Sequence, residues 1–300
     1  MKTFTELKQQ AQRQNDQVVS IANAADEEVL LAVKKAVDQS LCSFLLVGSK
    51  TEIEKIASIV ELDLTKEQLS IIHVDNNPSD AAVKAVHDKK ADILMKGNVS
   101  TKDLLKAVLN KDSGLRTGGV LSHVALFEIP NQDRLIFLTD AAMNLTPTLQ
   151  EKEQIINNAV QVAGGVNISN PNVAVLAAVE VVNPAMKATV DAALLTQMQK
   201  RNQIKGCIID GPLAFDNAVS SKAASHKDIH SEVAGNADIL MVPTIEVGNA
   251  LYKSFMYFAD AKVAAVISGA RAPIVLTSRT DTSDSKLNSL SLALVSSKSF

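Results

Sequence analysis

Tryptophan is absent from this 300-residue chain, and aromatic residues make up only 3% of it. A protein that binds single-stranded nucleic acid needs rings on which bases can stack, so that class is disfavoured. Nor is there an excess of one charge: 30 Lys and Arg face 33 Asp and Glu, for a net charge of −3. That balance leaves no basic stripe to follow a phosphate backbone. The two cysteines, Cys42 and Cys207, lack any partner spacing and read as small buried apolar residues. No apolar run reaches the roughly 18 residues that a membrane-spanning helix requires. Met1 to Gln17 is polar and mixed in charge, unlike a secretory leader. The expectation is a cytoplasmic protein that binds neither nucleic acid nor membrane.

Several catalytic motifs are missing as well. No Gly-x-Gly-x-x-Gly follows an apolar run, so a nicotinamide site has no local support. Gly48-Ser49-Lys50-Thr51 lacks the glycines of a phosphate-binding P-loop, having Ser43 and Ser49 where they should stand. His226 and His230 are four residues apart without the intervening Glu of a zinc-protease helix, and read as solvated residues at a helix start. No Gly-x-Ser-x-Gly elbow marks a serine hydrolase.

What the chain does have is rhythm. Hydrophobic residues make up 46% of it, with Ala and Val prominent, as expected of helices packed on a parallel sheet. Ser43–Gly48, Ser70–Val74 and Asp92–Met95 read as strands, separated by helices over Thr51–Val60 and Pro78–His87. Ser100 caps a further helix through Leu109. This βαβ alternation predicts parallel strands. It is interrupted by a hairpin, Leu121–Ile129 and Arg134–Thr139, joined by Pro130-Asn131-Gln132-Asp133. After a helix over Leu149–Val162 a second series follows, with strands Val173–Ala177, Gly206–Asp210, Ile239–Val242, Ala264–Ile267 and Ile274–Leu276. Helices fall near Ala188–Gln199, Ala218–Ala224 and Val247–Phe258, and a last one over Ser283–Val295 carries Leu287, Leu290 and Leu294 on one face. The loop Asn144–Pro147 reads as a domain boundary. Residues 1–142 with about 280–300 would make one α/β domain, and 143–279 the other.

Chemistry concentrates where apolar strands end. Ile274-Val275-Leu276 runs into Thr277-Ser278-Arg279, and Asp281 and Asp284 follow. Side chains leaving the carboxyl end of a strand in an open α/β sheet face the ligand crevice, and the planar fork of Arg matches phosphate or carboxylate oxygens in pairs. The bland alternative is that one Asp caps the last helix and Arg279 is solvated. Met95-Lys96-Gly97-Asn98, Gly114-Leu115-Arg116-Thr117, Thr139-Asp140-Ala141-Ala142-Met143-Asn144 and Asp210-Gly211-Pro212 are similar segments, rich in Gly, Lys and Asp. His123, in a strand near Arg116, is a weaker candidate. Together the cations and glycine-opened backbone point to phosphate recognition.

In these blocks, and in Asp210–Asn217, Gly248-Asn249 and Ser268-Gly269-Ala270, the chain resembles the phosphate acetyl/butyryl transferase family, most closely its phosphate butyryltransferase branch. The resemblance extends from about Ala24 to Leu294. It implies reversible transfer of a short acyl group between coenzyme A and inorganic phosphate, with coenzyme A as substrate, no bound cofactor and no metal. It further implies two α/β domains with a cleft between them, as in the isocitrate/isopropylmalate dehydrogenases, and a homodimer or larger homo-oligomer. By the same resemblance, Ser278 would stabilise the tetrahedral intermediate and Arg279 would hold phosphate. Asp284 or Asp281 would be the base: spacing favours Asp284, with Asp281 as helix cap, while Asp281 matches an Asp of the butyryl branch. Arg116 joins the phosphate contacts. Lys96, Gly97, Lys106, Thr139, Asp140, Asn144, Asp210 and Gly211 are assigned to substrate binding. The chain departs from the family's pattern at Asn98-Val99-Ser100-Thr101 and at Gly119. The rival readings are a phosphate acetyltransferase, a dehydrogenase of the same fold and a non-catalytic acyl-CoA sensor.

Overall fold

The computed structural model describes residues 1–130, 132–277 and 281–300. In chain order the elements begin α1 (Phe4–Gln12), β1 (Val18–Ala22), α2 (Glu27–Asp38), β2 (Ser43–Gly48), α3 (Lys50–Ile59), β3 (Leu69–His73), α4 (Pro78–His87), β4 (Ile93–Lys96) and α5 (Thr101–Val108). There follow β5 (Ser122–Glu128), β6 (Ile136–Thr139), α6 (Leu149–Gly165), β7 (Asn172–Leu176), α7 (Lys187–Lys200), β8 (Ile208–Leu213), α8 (Phe215–Val219), α9 (Ser221–His226), β9 (Ile239–Met241) and α10 (Ile245–Phe258). The chain closes with β10 (Lys262–Ser268), β11 (Ile274–Val275), α11 (Ser283–Ser296) and a short 3-10 turn, Ser297–Ser299.

These elements fall into two compact units. Residues 4–119 and 264–300 form the outer unit, and residues 120–263, with 1–3, form the middle unit. The breaks therefore stand at 119/120 and 263/264 rather than at the expected 142/143 and 279/280. The reason is strand pairing. The hairpin β5–β6 pairs through β6 with β9 of the middle unit, and β11 pairs with β4 of the outer one.

In the outer unit the strand order is β3-β2-β1-β4-β11-β10. All neighbours run parallel except β10, which is antiparallel to β11. Ile93, Leu94, Met95 and Lys96 of β4 are all buried, as a strand covered on both faces must be. The middle unit orders its strands β5-β6-β9-β7-β8, with only the β5–β6 hairpin antiparallel.

The first elements and the last differ from the sequence reading. α1, β1 and α2 are not among the elements it predicts, yet β1 lies between β2 and β4. Its apolar run is interrupted by Ser20, whose buried hydroxyl donates to the Ala82 carbonyl at 3.0 Å. The last helix was expected to bury one leucine face, but α11 is buried on nearly every side. It packs on α1, α2, β4 and β11. Its serines are compatible with that burial because Ser291 and Ser296 donate to carbonyls four residues back, while Ser289 accepts the Ala265 N–H. Among the described residues no helix is long and apolar enough to cross a membrane.

Candidate active site

In the outer unit β1, β4 and β11 are parallel, so their carboxyl ends share one edge of the sheet. At that edge the chain is joined closely by backbone bonds. Gly97 N donates to Ala22 O at 3.0 Å, Asn98 N to Asn23 O at 2.7 Å, and Ala24 N to Val47 O at 2.9 Å. Asn23, with φ of 58°, adds a side-chain bond to Asn98 O. Such close approach demands glycine: a Cβ on Gly97 would stand 2.1 Å from Asn23 O and 2.7 Å from Ala22 O. Lys96 precedes it, 6% exposed, with its ammonium 3.4 Å from the Gly97 carbonyl. The sequence reading missed Asn23; an Asn directly after an apolar run, free to adopt left-handed φ, was the signal available.

Lys106, exposed on α5, lines a pocket of about 370 Å³ with Asn23, Asn98, Ser79, Asp80 and Asp103. Asp80 and Asp103 offset the lysine, so the pocket offers more hydrogen-bonding groups than positive charge. Ser100 caps α5, accepting from Asp103 N at 3.0 Å. Arg116 lies elsewhere. Its backbone bridges to Ala270, and its carbonyl accepts from Arg271 Nε at 3.1 Å, at the turn leading into β11. That is the amino end of β11, whereas Lys96 and Gly97 close the carboxyl end of its neighbour β4. The backbone does not bring Arg116 and Lys96 together.

The middle unit has its own carboxyl edge. Thr139, fully buried, donates its hydroxyl to His123 O at 2.9 Å. Asp140 is 2% exposed, and its carboxylate accepts from Ala142 N at 2.8 Å, Met143 N at 3.0 Å, Asn144 N at 3.2 Å and Asn144 Nδ2 at 2.6 Å. Asn144 also donates to Leu121 O at 2.9 Å, tying the loop to the start of the hairpin. Four acceptances by one carboxylate make Asp140 the organiser of its own loop. Gly248 of α10 packs beneath, where a Cβ would meet Asp140 O at 2.4 Å. His123 is buried, its ring centroid 5.9 Å from that of Tyr252. On β8, Asp210 accepts from Gly211 N at 2.9 Å, and a Cβ on Gly211 would lie 2.7 Å from Val175 O. A network unseen in the sequence joins Glu180 to the fully buried Asn217 and to Lys227, the last at 2.7 Å. Hydrogen bonding by Lys227 holds the Glu180 carboxyl below its usual range against a smaller opposing effect of burial.

Ser278 and Arg279 lie, with Thr280, outside the described residues. On either side of them, Thr277 is 6% exposed and the Asp281 carbonyl accepts from the Lys286 ammonium. Asp281 is not the helix cap that the sequence reading made it. Thr282 caps α11, its hydroxyl accepting from Ser285 N. The side chain of Thr at this position reaches the third helical N–H, the geometry that favours a hydroxyl there. Asp284 lies in the first turn of α11, and its carboxylate pairs with Lys35 of α2 at 2.7 Å. That hydrogen bond holds Asp284 below the ordinary carboxylate range. Glu28 accepts from Ser283 N at 2.6 Å, and Lys35 also donates to the Ser283 hydroxyl at 3.0 Å.

The histidines and cysteines read as ordinary residues stay so. His73 lies in β3 and His87 ends α4; His226 ends α9 rather than beginning a helix. Both cysteines are buried, and burial pushes their thiols up, that of Cys207 to about 11.

A lysine and close-packed glycines stand at the strand ends of this α/β protein, and similarity to known proteins supplies its class. A family model described as phosphate acetyl/butaryl transferase matches residues 73–294. A protein of Bacillus subtilis (strain 168) named probable phosphate butyryltransferase is 55% identical over 95% of each chain. The phosphate butyryltransferase of Clostridium beijerinckii is 47% identical over 97% of each. The crystal structure of a branched-chain phosphotransacylase from Enterococcus faecalis V583 superposes with a TM-score of 0.83 at 36% identity, covering 93% of this chain and 98% of that one. This chain belongs to the phosphate acetyl/butyryl transferase family.

Proposed function

We propose that the protein catalyses reversible transfer of a butyryl or similar short acyl group between coenzyme A and inorganic phosphate: butyryl-CoA + phosphate = butyryl phosphate + CoA. The observation that carries this reading is the match, along almost the whole of each chain, to relatives named phosphate butyryltransferase.

A coenzyme A thiol with a pKa near about 8.5 is only a few per cent thiolate at neutral pH. In the direction of acyl-CoA synthesis a carboxylate removes the thiol proton as sulfur attacks the carbonyl of the acyl phosphate, and phosphate leaves as the carbonyl re-forms. General-base help of this kind is worth on the order of 10²–10⁴-fold. Asp281 and Asp284 are the candidates for it. Ser278 would donate to the oxyanion of the tetrahedral intermediate and Arg279 would grip the phosphate. Lys96, with a buried stem and an ammonium at the end of β4, suits an anionic oxygen. Lys106 and its polar pocket suit a more distant, hydroxyl-rich part of coenzyme A, and Arg116 remains a candidate phosphate contact. Thr139, Asp140 and Asn144 shape one substrate loop, and Asp210 and Gly211 another. A homodimer or larger assembly, a cytoplasmic location and an arrangement similar to the isocitrate/isopropylmalate dehydrogenases belong to the same reading.

Release of coenzyme A, followed by a thiol reagent with acetyl-, propionyl-, butyryl- and isobutyryl-CoA plus phosphate, tests it. Butyryl- or isobutyryl-CoA should turn over fastest, in the presence of EDTA. A clear preference for acetyl-CoA would make the protein a phosphate acetyltransferase instead, and no phosphate-dependent release from any of them would sink the reading.

A further inference from the structure

We propose that the exposed face of α10 is the surface on which a second copy of this chain docks, the two α10 helices lying antiparallel about a two-fold axis. Ile245, Val247, Leu251, Phe255, Met256 and Tyr257 make this 14-residue helix apolar around most of its circumference, yet only Gly248 and Phe255 are buried. A helix apolar on all sides is ordinarily enclosed. By contrast α11, rich in serine, is enclosed on nearly every side. Tyr257 is 77% exposed and Phe258 90%, and Val247 is exposed as well. At the start of the helix, Ile245 N donates at 3.0 Å to the carbonyl of Leu145, another exposed residue. The exposed Phe215 ring lies 6.0 Å from that of Phe255, centroid to centroid. Of the ten large apolar residues exposed among the described residues, five thus lie on α10 or directly against it. Apolar exposure concentrated in this way marks a surface made to be covered.

The order of residues along that face selects the occupant. Glu246, Ala250, Lys253 and Tyr257, spaced four, three and four apart, form one exposed stripe, with Ser254 beside it. Among the described residues, neither Glu246 nor Lys253 forms an ion pair within its own chain. Glu246 bonds Thr244, and the Lys253 ammonium lies 5.7 Å from the centroid of the Tyr252 ring. An antiparallel copy whose axis passes beside Ala250 sets Glu246 of each chain against Lys253 of the other, so the charge pair forms twice by symmetry. The small side chains of Ala250 and Ser254 let the two helices approach. Tyr257 and Phe258, at one end of the stripe, then reach toward Leu145 of the second copy, beside the other end. Aromatic side chains are enriched at the cores of such contacts.

Sedimentation velocity on the full chain tests this surface, which locates the assembly included in the reading above. Turnover is not measured, so a failure here is distinct from a failure of the acyl-transfer reading. The wild type should self-associate at micromolar concentration, and a monomer there overturns the proposal. Tyr257→Glu combined with Phe258→Glu should weaken association about a hundredfold or more, as loss of central aromatic contacts does. Association of that variant within about threefold of wild type places the contact elsewhere and overturns the proposal. Glu246→Lys and Lys253→Glu, each alone, set like charges opposite one another and should weaken association about tenfold. Mixed in equal amounts, the two single variants present opposite charges at both contacts and should associate within about threefold of wild type. If both are folded by circular dichroism and the mixture associates no better than either alone, the antiparallel pairing is wrong. Should the aromatic variant fail to fold, the mixing experiment decides.

Discussion

The carboxyl ends of β4 and β6, one in each unit, solve the same problem by opposite means. Both must turn a buried parallel strand into a polar loop. After β4 the turn is made backbone to backbone, through Gly97 against Ala22 and Asn23, and Lys96 is left as a polar side chain at the edge. After β6 the turn is made by a side chain: the Asp140 carboxylate accepts from three backbone N–H groups and from Asn144. The difference assigns work. Where backbone bonds close the loop, the neighbouring charged side chain is not what holds it together; where a carboxylate closes the loop, that carboxylate is engaged in structure.

The sharpest way to break this comparison is to alter the backbone closure. Gly97→Ala places a Cβ 2.1 Å from a carbonyl oxygen of a neighbouring strand end, which cannot be relieved by a side-chain rotation. The expected loss exceeds about 3 kcal/mol, beyond ordinary overpacking. A urea melt measures it, and a midpoint near wild type would mean that the strand ends are looser than their hydrogen bonds imply.

Asp140→Ala comes next. It leaves three N–H groups to water or to nothing, in a loop that is partly exposed, so the expected cost is about 2 kcal/mol. Asp140→Asn, which keeps one acceptor, should lose about half of that. If Asp140→Ala instead melts as wild type but fails to turn over acyl-CoA, the carboxylate belongs to the substrate and the contrast with β4 is wrong.

Lys96→Met probes the other side. Stability should change by only about 1 kcal/mol, because an apolar side chain of similar length replaces a buried ammonium, and the bonds lost are offset by the charge no longer withdrawn from water. Turnover at limiting substrate should fall about tenfold, equivalent to about 1.4 kcal/mol of transition-state binding. Separate KM values for phosphate and acyl-CoA identify which substrate the ammonium meets.

Much of this was legible in the sequence, for identifiable reasons. β2, β3, β4 and the β5–β6 hairpin announced themselves as apolar runs bounded by turn residues, and Ser100 and Pro78 marked helix starts. β1 was hidden by one buried serine with a partner distant in sequence, and the α8–α9 break was hidden because Ser220 ends one helix and caps the next. The unit boundary was misplaced because a hairpin that interrupts a βαβ rhythm can belong to either neighbour; only the pairing of β6 with β9 decides it. At the site, positions at strand ends could be read, but not what the side chains do there. Nothing near Asp140 in the sequence says that its partners are main-chain N–H groups. The cap of α11 was misread for a related reason: Thr282 and Asp281 are both good capping residues, and backbone geometry selects between them.

The smallest expected effect separates the two candidate bases. The Lys35 ammonium, hydrogen-bonded to Asp284, holds that carboxyl below its ordinary value, outweighing the upward push from burial. A carboxyl whose folded pKa is depressed adds stability above its unfolded pKa, near about 3.9, and that contribution disappears as pH falls through the folded value. Lys35→Met should therefore lower stability more at pH 7 than at about pH 2, where only the pH-independent bond to the Ser283 hydroxyl is lost. With the Asp284 side chain 70% exposed, the difference should be only a few tenths of a kcal/mol, and smaller in about 1 M salt. The same variant lets the Asp284 pKa return upward. If Asp284 is the general base, the acid limb of the kcat profile, where protonation silences the base, should shift to higher pH in Lys35→Met. If the limb stays in place while Asp281→Asn abolishes it, the base is Asp281, and Asp284 serves with Lys35 to fix the start of α11.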